Sequence, residues 1–363
     1  MTTTQRASGP GGPSSGGSGS GGSGSGGSGS GGPAAPARRA PRAPGTSRTS
    51  AVDVGAAAAL VVFWSSGFVG ARLGTQYAPA DTLLAWRYLV AAALLLPVVA
   101  PSLLRLARRD LGRHAVVGLL SQTLYLGGVV TGIGLGVPAG TAALIAALQP
   151  LVVATAARRL LGESVSGRAR LGLWLGLAGV GIVVASDVGG GGPAWIYLLP
   201  VGGMLALSAG TVLEQRWRPT GGLAVSLSVH VAVAAVAFTG EAVAFGRLTV
   251  PSAGGFWWAV AWVLVLSTAG GYGAYLLVLR RGGATRVSSL LYLTPPTTAV
   301  WAWLMFGDSL GVATLLGFAV CAVAVWLVLA GRGGGPVRRA PVRRGRVRRA
   351  PVRRGRVRRA AVR

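Results

Sequence analysis

The sequence predicts an all-α polytopic membrane protein, with ten transmembrane helices arranged as two inverted five-helix repeats between disordered N- and C-terminal tails. Three observations predict it. Between residues 51 and 331, apolar segments of roughly 16–24 residues alternate with short polar joints. Arginines crowd into every second joint. Two stretches about 145 residues apart echo each other in the order of their turn residues.

Composition restricts the class. Of 363 residues, 51% are hydrophobic and only 12% charged, against about 25% charged in ordinary soluble domains. The formal net charge is nevertheless +27. Nineteen arginines and no acid lie in residues 1–50 and 332–363, so residues 51–331 carry only +8. The basicity belongs to the tails. Residues 9–33 are nearly all Gly and Ser in a five-residue rhythm, and such a segment buries no core. No apolar run opens the sequence, so no cleavable signal peptide is expected. The far tail repeats every ten residues, 337–346 returning as 347–356, and a block of arginines repels itself and stays extended. It could hold anionic lipid headgroups, at about 1 kcal/mol per Arg, touch RNA non-specifically, or be a repeat expansion without a dedicated partner. Specific nucleic-acid binding is not expected from a tail alone. The organisation is therefore a tail over 1–50, a first five-helix repeat over 51–187, a second, inverted repeat over 188–331, and an Arg-rich tail over 332–363.

About 20 helical residues, rising 1.5 Å each, cross a hydrocarbon core of about 30 Å. The expected spans are 54–72, 82–100, 115–135, 139–157, 171–186, 194–213, 223–245, 256–279, 287–306 and 312–330. They are apolar all round, which argues against a soluble helical bundle with amphipathic faces. They lack the two-residue alternation of barrel strands. Arg105, Arg108, Arg109, Arg113, Arg158, Arg159, Arg168, Arg170, Arg216, Arg218, Arg280, Arg281 and Arg286 sit in even-numbered joints; Arg247 alone sits in an odd one. Positive loops stay cytoplasmic. Both termini are thus expected in the cytoplasm, which requires an even number of spans.

Leu148-Gln149-Pro150, followed by Gly162-Glu163-Ser164, matches Leu293-Thr294-Pro295, followed by Gly307-Asp308-Ser309. The first acidic joint lies among arginines and the second does not, so the two are expected on opposite sides of the membrane. Five spans per copy force that inversion. Inverted repeats build two near-equivalent gates about a central site in many secondary carriers, although duplication also produces inert scaffolds.

Taken together, Trp64-Ser65-Ser66-Gly67-Phe68-Val69-Gly70-Ala71-Arg72, Arg87, Ala139-Gly140, Gln149-Pro150, Leu161-Gly162-Glu163, Arg281-Gly282-Gly283-Ala284-Thr285-Arg286 and Pro295-Pro296 resemble the drug/metabolite transporter superfamily, in its EamA branch. The resemblance covers the membrane region and neither tail. It implies ten helices in two inverted halves and a central cavity. It also implies efflux of amino acids, metabolites or drugs across the inner (plasma) membrane of a bacterium. Ser65 stands where the family often has Gly or Asn, and Asp308 where Glu is commoner, which leaves the substrate open.

Intramembrane polar groups are costly and mark pathways. Arg87, about a turn into the second span, could attract an anionic group, pair with Asp81, or snorkel to the interface. Arg72 reads as an interface anchor. Ser226, His230 and Glu241 fall within about 60° of one another around a helix, so His230 and Glu241 are proton-coupling candidates, against a structural reading of a lone His. Gln122, Tyr125, Gln149, Tyr272, Tyr275, Ser288, Tyr292, Thr294 and Pro295 are substrate-pathway candidates that could line the cavity or merely tie helices together. Trp64 and Ser65, from the motif above, join them.

Absences narrow the chemistry. The chain has no Lys, hence no Walker-type phosphate loop. One Cys and two His exclude a conventional zinc or disulfide framework. No metal, cofactor or catalytic residue is expected. Cys321 reads as a small apolar residue. Two other classes compete with a carrier of small molecules: an intramembrane hydrolase using Ser208 and His230, and a membrane tether acting through the Arg tail.

Overall fold

The computed structural model describes residues 51–160, 167–188, 193–308 and 310–330. The chain divides into two units, Met1–Arg48 and Thr49–Arg363, and every described residue belongs to the second. Both expected tails and Glu163 lie outside the described residues.

Helix is the regular structure throughout those residues. The elements are α1 (Ala51–Thr75), α2 (Ala80–Leu103), α3 (Arg108–Gly118), α4 (Tyr125–Gly134), α5 (Ala139–Ala146), α6 (Gln149–Leu160), α7 (Gly167–Val188), α8 (Leu198–Trp217), α9 (Gly222–Ala244), α10 (Gly254–Trp262), α11 (Gly271–Leu291), α12 (Thr294–Phe306) and α13 (Val312–Ala330). A π-helical stretch, Leu119–Leu124, fuses α3 to α4, and a second, Val263–Gly270, fuses α10 to α11. Hydrocarbon offers no partner to a free N–H or C=O, so a spanning helix must satisfy its backbone within itself.

Eight of these rods are long and apolar enough to cross a bilayer, from Ala51–Thr75 through Gly254–Arg281, and Val312–Leu327 adds a shorter apolar helix. The ninth expected span departs from a single rod. Gly283 interrupts α11 with φ 74° and ψ 172°, a conformation open to glycine. The chain then breaks at Tyr292-Leu293 before Pro295 and Pro296 open α12, which is only 13 residues long. A smaller break separates α5 from α6 at Ala147-Leu148, just before Gln149-Pro150. The cause is the same at both places, because proline lacks the N–H that would bond back one turn. The turns tighten instead, with Leu148 N–H bonding Ile145 O at 3.1 Å and Leu293 N–H bonding Leu290 O at 2.9 Å.

The helices pair in a regular way. α2 packs along α9, α7 along α13, α5 on α12 and α4 on α8, while α1 touches α4, α5, α10, α11 and α12. Small residues allow the closest crossings. A Cβ at Gly128 of α4 would strike the Leu199 carbonyl of α8, and one at Gly179 of α7 would lie 2.9 Å from the Gly317 carbonyl of α13. The outer surface is apolar as well as the core. Val98, Trp174, Val236, Leu304 and Trp326 face outward, whereas Ser65, Ser66, Thr82, Thr141, Ser228 and Thr298 are buried. Lipid is the solvent this surface fits.

Candidate functional site

The centre of the bundle lies where α1, α2, α9, the first π-helical stretch and α11 meet. Trp64 of α1 stands 5.9 Å, ring to ring, from both Tyr272 and Tyr275 of α11. Tyr88 of α2 donates to Gln122 Oε1 at 2.6 Å and stacks on Phe238 of α9 at 5.6 Å. Gln122 also lies close to the Tyr272 side chain. The π-helical stretch that carries Gln122 holds one more residue per turn than an α-helix, a local re-aiming that recurs at functional sites. Tyr125 follows directly and lies near Tyr88 and Tyr272. Arg87, half-buried, places its guanidinium 5.3 Å over the Tyr88 ring and lines a narrow cleft with Gly67, Ala71, Leu84, Val130 and Val260.

The Tyr88 to Gln122 bond joins α2 to this stretch, and intramembrane hydrogen bonds contribute about 0.6–1.7 kcal/mol. Tyr88→Phe keeps the stacking on Phe238 and should lose stability of that order in a thermal melt of the purified protein. No loss would mean that the packing of Tyr88 on Phe238 holds α2 here without the hydrogen bond.

The sequence-derived candidates do not all gather here. Trp64, Arg87, Gln122, Tyr125, Tyr272 and Tyr275 do. Gln149 instead donates to Thr211 Oγ1 of α8 at 3.0 Å. Ser65 donates to the Thr294 carbonyl at 3.3 Å, beside the break that Pro295 opens. Thr294 and Thr298, both buried, have hydroxyls with no partner among the described residues. Tyr292 packs near Leu151, Ala154, Ala324 and Val325, away from Trp64. The side chain of Ser288 lies outside the described residues.

The ionisable candidates meet partners on other elements. Asp81 does not reach Arg87; its Oδ2 accepts from Arg247 at 3.0 Å and its Oδ1 from the Thr82 N–H at 2.7 Å. The α9–α10 loop thereby closes over the end of the bundle where α1 turns into α2. Thr82 donates to Arg247 O at 3.0 Å and Trp86 to Thr249 O at 2.8 Å in the same tie. His230 and Glu241 share α9 but lie eleven residues, or about 16 Å, apart along it. Glu241 is in the field of Asp81 and Arg247. The His230 ring instead lies 6.0 Å from the ring of His114, tilted by 58°, and its Nε2 is 3.4 Å from Ser226 Oγ. His114 is 2% exposed, bonds the Thr220 carbonyl through Nε2 at 2.8 Å, and has no partner on Nδ1 among the described residues. Sequence reasoning passed over His114, although it is one of only two histidines. It also passed over Tyr88, next to Arg87, and over Arg247 as an ion-pair partner.

Ser208 forms no hydrolytic dyad with His230, because its hydroxyl donates to Met204 O at 2.8 Å along its own helix. Arg72 stays at the helix end, 5.9 Å over the Phe306 ring. Cys321 is buried, with its Sγ 3.6 Å from the Gly176 carbonyl. At that end of the bundle, Asp187 Oδ2 accepts from Thr141 at 2.8 Å in a narrow cleft shared with Asp308. Burial raises the pKa of Asp308, and the charge of Arg72 opposes that shift.

Long apolar rods around a buried polar and aromatic centre define a multi-pass membrane protein. The profile of the EamA-like transporter family matches the chain twice, over residues 54–185 and 194–330, and the chain belongs to that family of membrane transporters. A protein of Escherichia coli strain K12 named as the uncharacterized inner membrane transporter YedA is 28% identical over 283 residues, covering 77% of this chain and 90% of its own. The transporter YvbV of Bacillus subtilis strain 168, also named as uncharacterized, is 25% identical over 278 residues, covering 74% of this chain and 88% of its own. A WAT1-related chloroplastic protein of Arabidopsis thaliana is 27% identical over 235 residues, covering 59% of this chain and 54% of its own. The fold matches a solved crystal structure with a TM-score of 0.53 at 20% identity, over 78% of this chain and 99% of that one.

Proposed function

We propose that the protein is a secondary carrier of the bacterial inner membrane that exports amino acids, metabolites or drug-like molecules by alternating access between two inverted five-helix halves. The carrying observation is the repetition itself. The family profile fits each half separately. The π-helical stretches Leu119–Leu124 and Val263–Gly270 begin 144 residues apart, and each half has one proline-linked break, before Pro150 and before Pro295. Equivalent helices also pack on each other: α2 on α9, α7 on α13 and α5 on α12. That pattern fits a twofold axis through the aromatic centre and supports counting α12 and α13 as the ninth and tenth spans. In this reading the arginine-rich joints and both termini face the cytoplasm, and the tail over 332–363 lies against anionic headgroups. Proton coupling runs through His230 beside His114, with Glu241 as a separate group near the opposite end of α9.

Flux of a substrate library into proteoliposomes, at several pH values, tests the carrier. Flux that requires the protein is expected, with a pH dependence that His230→Ala flattens and deletion of 336–363 leaves in place. Absence of flux for every compound would sink the carrier. Thiol labelling of cysteines placed at Glu163 and Asp308 tests the inversion, since labelling from one side of the membrane only would remove it.

A further inference from the structure

Where α12 turns towards α13, two carboxylates share one cleft without a counter-ion. Asp187 lies in the last turn of α7, and Asp308 follows α12 by two residues. Asp53, Asp81 and Asp110 each pair with an arginine, but among the described residues no ion pair reaches Asp187 or Asp308. Arg72 acts on Asp308 only from a distance, with its guanidinium over the Phe306 ring. Tyr197 lies close to Asp187, yet a hydroxyl supplies a hydrogen bond and no charge. Half-buried carboxylates left in this condition are costly unless a cation meets them.

The other oxygens of the cleft point the same way. Thr141, 2% exposed, gives its hydroxyl proton to Asp187 Oδ2 at 2.8 Å, which leaves its own oxygen lone pairs open. Thr314, 8% exposed, lines the same cleft, and its hydroxyl makes no hydrogen bond among the described residues. Asp308 Oδ2 is shielded from solvent and also has no partner among them. The rest of the lining is apolar or glycine, with no basic side chain. Room for about one water molecule is left, which excludes an organic substrate. Side-chain oxygens suit a hard cation by replacing its hydration shell. Magnesium keeps several waters and calcium takes about six to eight oxygens, more than this cleft offers. Arg72 offsets part of the double negative charge, so a single positive charge completes the balance. We infer that the cleft binds one dehydrated alkali-metal cation between Asp187, Asp308, Thr141 and Thr314. The ion joins α5 and α7, in the first region that fits the family profile, to the α12–α13 turn and α13 in the second. It thereby braces this end of the bundle.

The test is equilibrium binding of radiolabelled sodium, and separately of radiolabelled rubidium, to the full chain in lipid nanodiscs at constant ionic strength. Scintillation proximity reads the bound ion. Saturable binding of at least one of the two is expected, displaced by its unlabelled chloride but not by choline chloride, whose cation is too large for the cleft. Asp187→Asn and Asp308→Asn should each weaken it at least about tenfold. Thr314→Val, which keeps the shape and removes the hydroxyl, should weaken it several-fold. Asp110→Asn, at an acid already paired with Arg113, should change nothing. No saturable binding of either ion, displacement by choline as effective as by the unlabelled ion, or binding that survives Asp308→Asn would overturn the site. Two aspartates that merely share a proton give the first of these results. If the aspartate variants fail to fold, Thr314→Val and the wild-type cation ranking still decide. Flux is measured separately. Cation binding without flux of any compound sinks the carrier and keeps this site, whereas flux without cation binding does the reverse.

Discussion

Gly203→Val is expected to prevent the stable assembly of α8 against α4, while Gly202→Val, one residue earlier, is expected to be nearly silent. A Cβ at Gly203 would lie 2.7 Å from the Tyr125 carbonyl oxygen and 3.3 Å from its Cα. Both are backbone atoms, so no rotamer change relieves the contact and the helices must move apart. The facing Gly128 already approaches the backbone of Leu199, and Gly132 lies against Pro200, so the separation would spread along the crossing. Overpacking costs about 1–3 kcal/mol where side chains can adjust; with backbone on the far side, the cost should exceed about 3 kcal/mol. A Cβ at Gly202 would meet nothing within 4 Å, and the residue faces outward, so valine there meets only lipid. Heating the two purified variants and following the monodisperse fraction by size exclusion separates the outcomes. Equal survival of both would show that the α4–α8 contact is looser than its geometry. The expected damage also reaches the aromatic centre, because Tyr125 closes the π-helical stretch that carries Gln122.

Span existence was legible because it depends on one variable, the length of an apolar run set against bilayer thickness. Thus 54–72 became Ala51–Thr75 and 223–245 became Gly222–Ala244. The breaks were partly legible, since proline announces a missing donor, and Gln149-Pro150 and Pro295-Pro296 do lie at them. The π-helical stretches were not. Neither Leu119–Leu124 nor Val263–Gly270 contains a residue that forces an extra residue into the turn, and nothing in Leu-Leu-Ser-Gln-Thr-Leu distinguishes it from ordinary apolar helix. Residue types at the centre were legible in the same coarse way: Trp64, Gln122, Tyr125, Tyr272 and Tyr275 are polar or aromatic groups that lipid would reject. Their partners were not legible. Asp81 is six residues from Arg87 but bonds Arg247, 166 positions away. His230 faces His114, on another helix, and not the Glu241 that shares its own face. Helical periodicity reports direction around one axis and says nothing about which helix comes to meet it.

Arg247→Ala is the second large expectation, because it loosens the tie that closes the bundle where α1 turns into α2. The Asp81 side chain is 6% exposed and that of Arg247 52% exposed, so the pair is buried at one end and wet at the other. A fully exposed pair would contribute about 0–1 kcal/mol, whereas stripping the partner from a buried charge costs about 3–5 kcal/mol. The half-wet geometry, together with the Thr82 N–H that still holds Asp81 Oδ1, places the expected loss near about 2 kcal/mol, between those limits. Asp81→Asn in the same chain removes the stranded charge, so the double variant should be more stable than Arg247→Ala alone, a coupling that a double-mutant cycle reads directly. The remaining links, Thr82 to Arg247 O and Trp86 to Thr249 O, use backbone acceptors and survive the substitution. The loop should therefore open more often without detaching. In a Cys321→Ser background, a cysteine at Ala71, buried on the cleft wall, should then react several-fold faster with a membrane-impermeant thiol reagent. An unchanged labelling rate alongside the expected loss of stability would mean that the pair holds the fold together without gating the cleft.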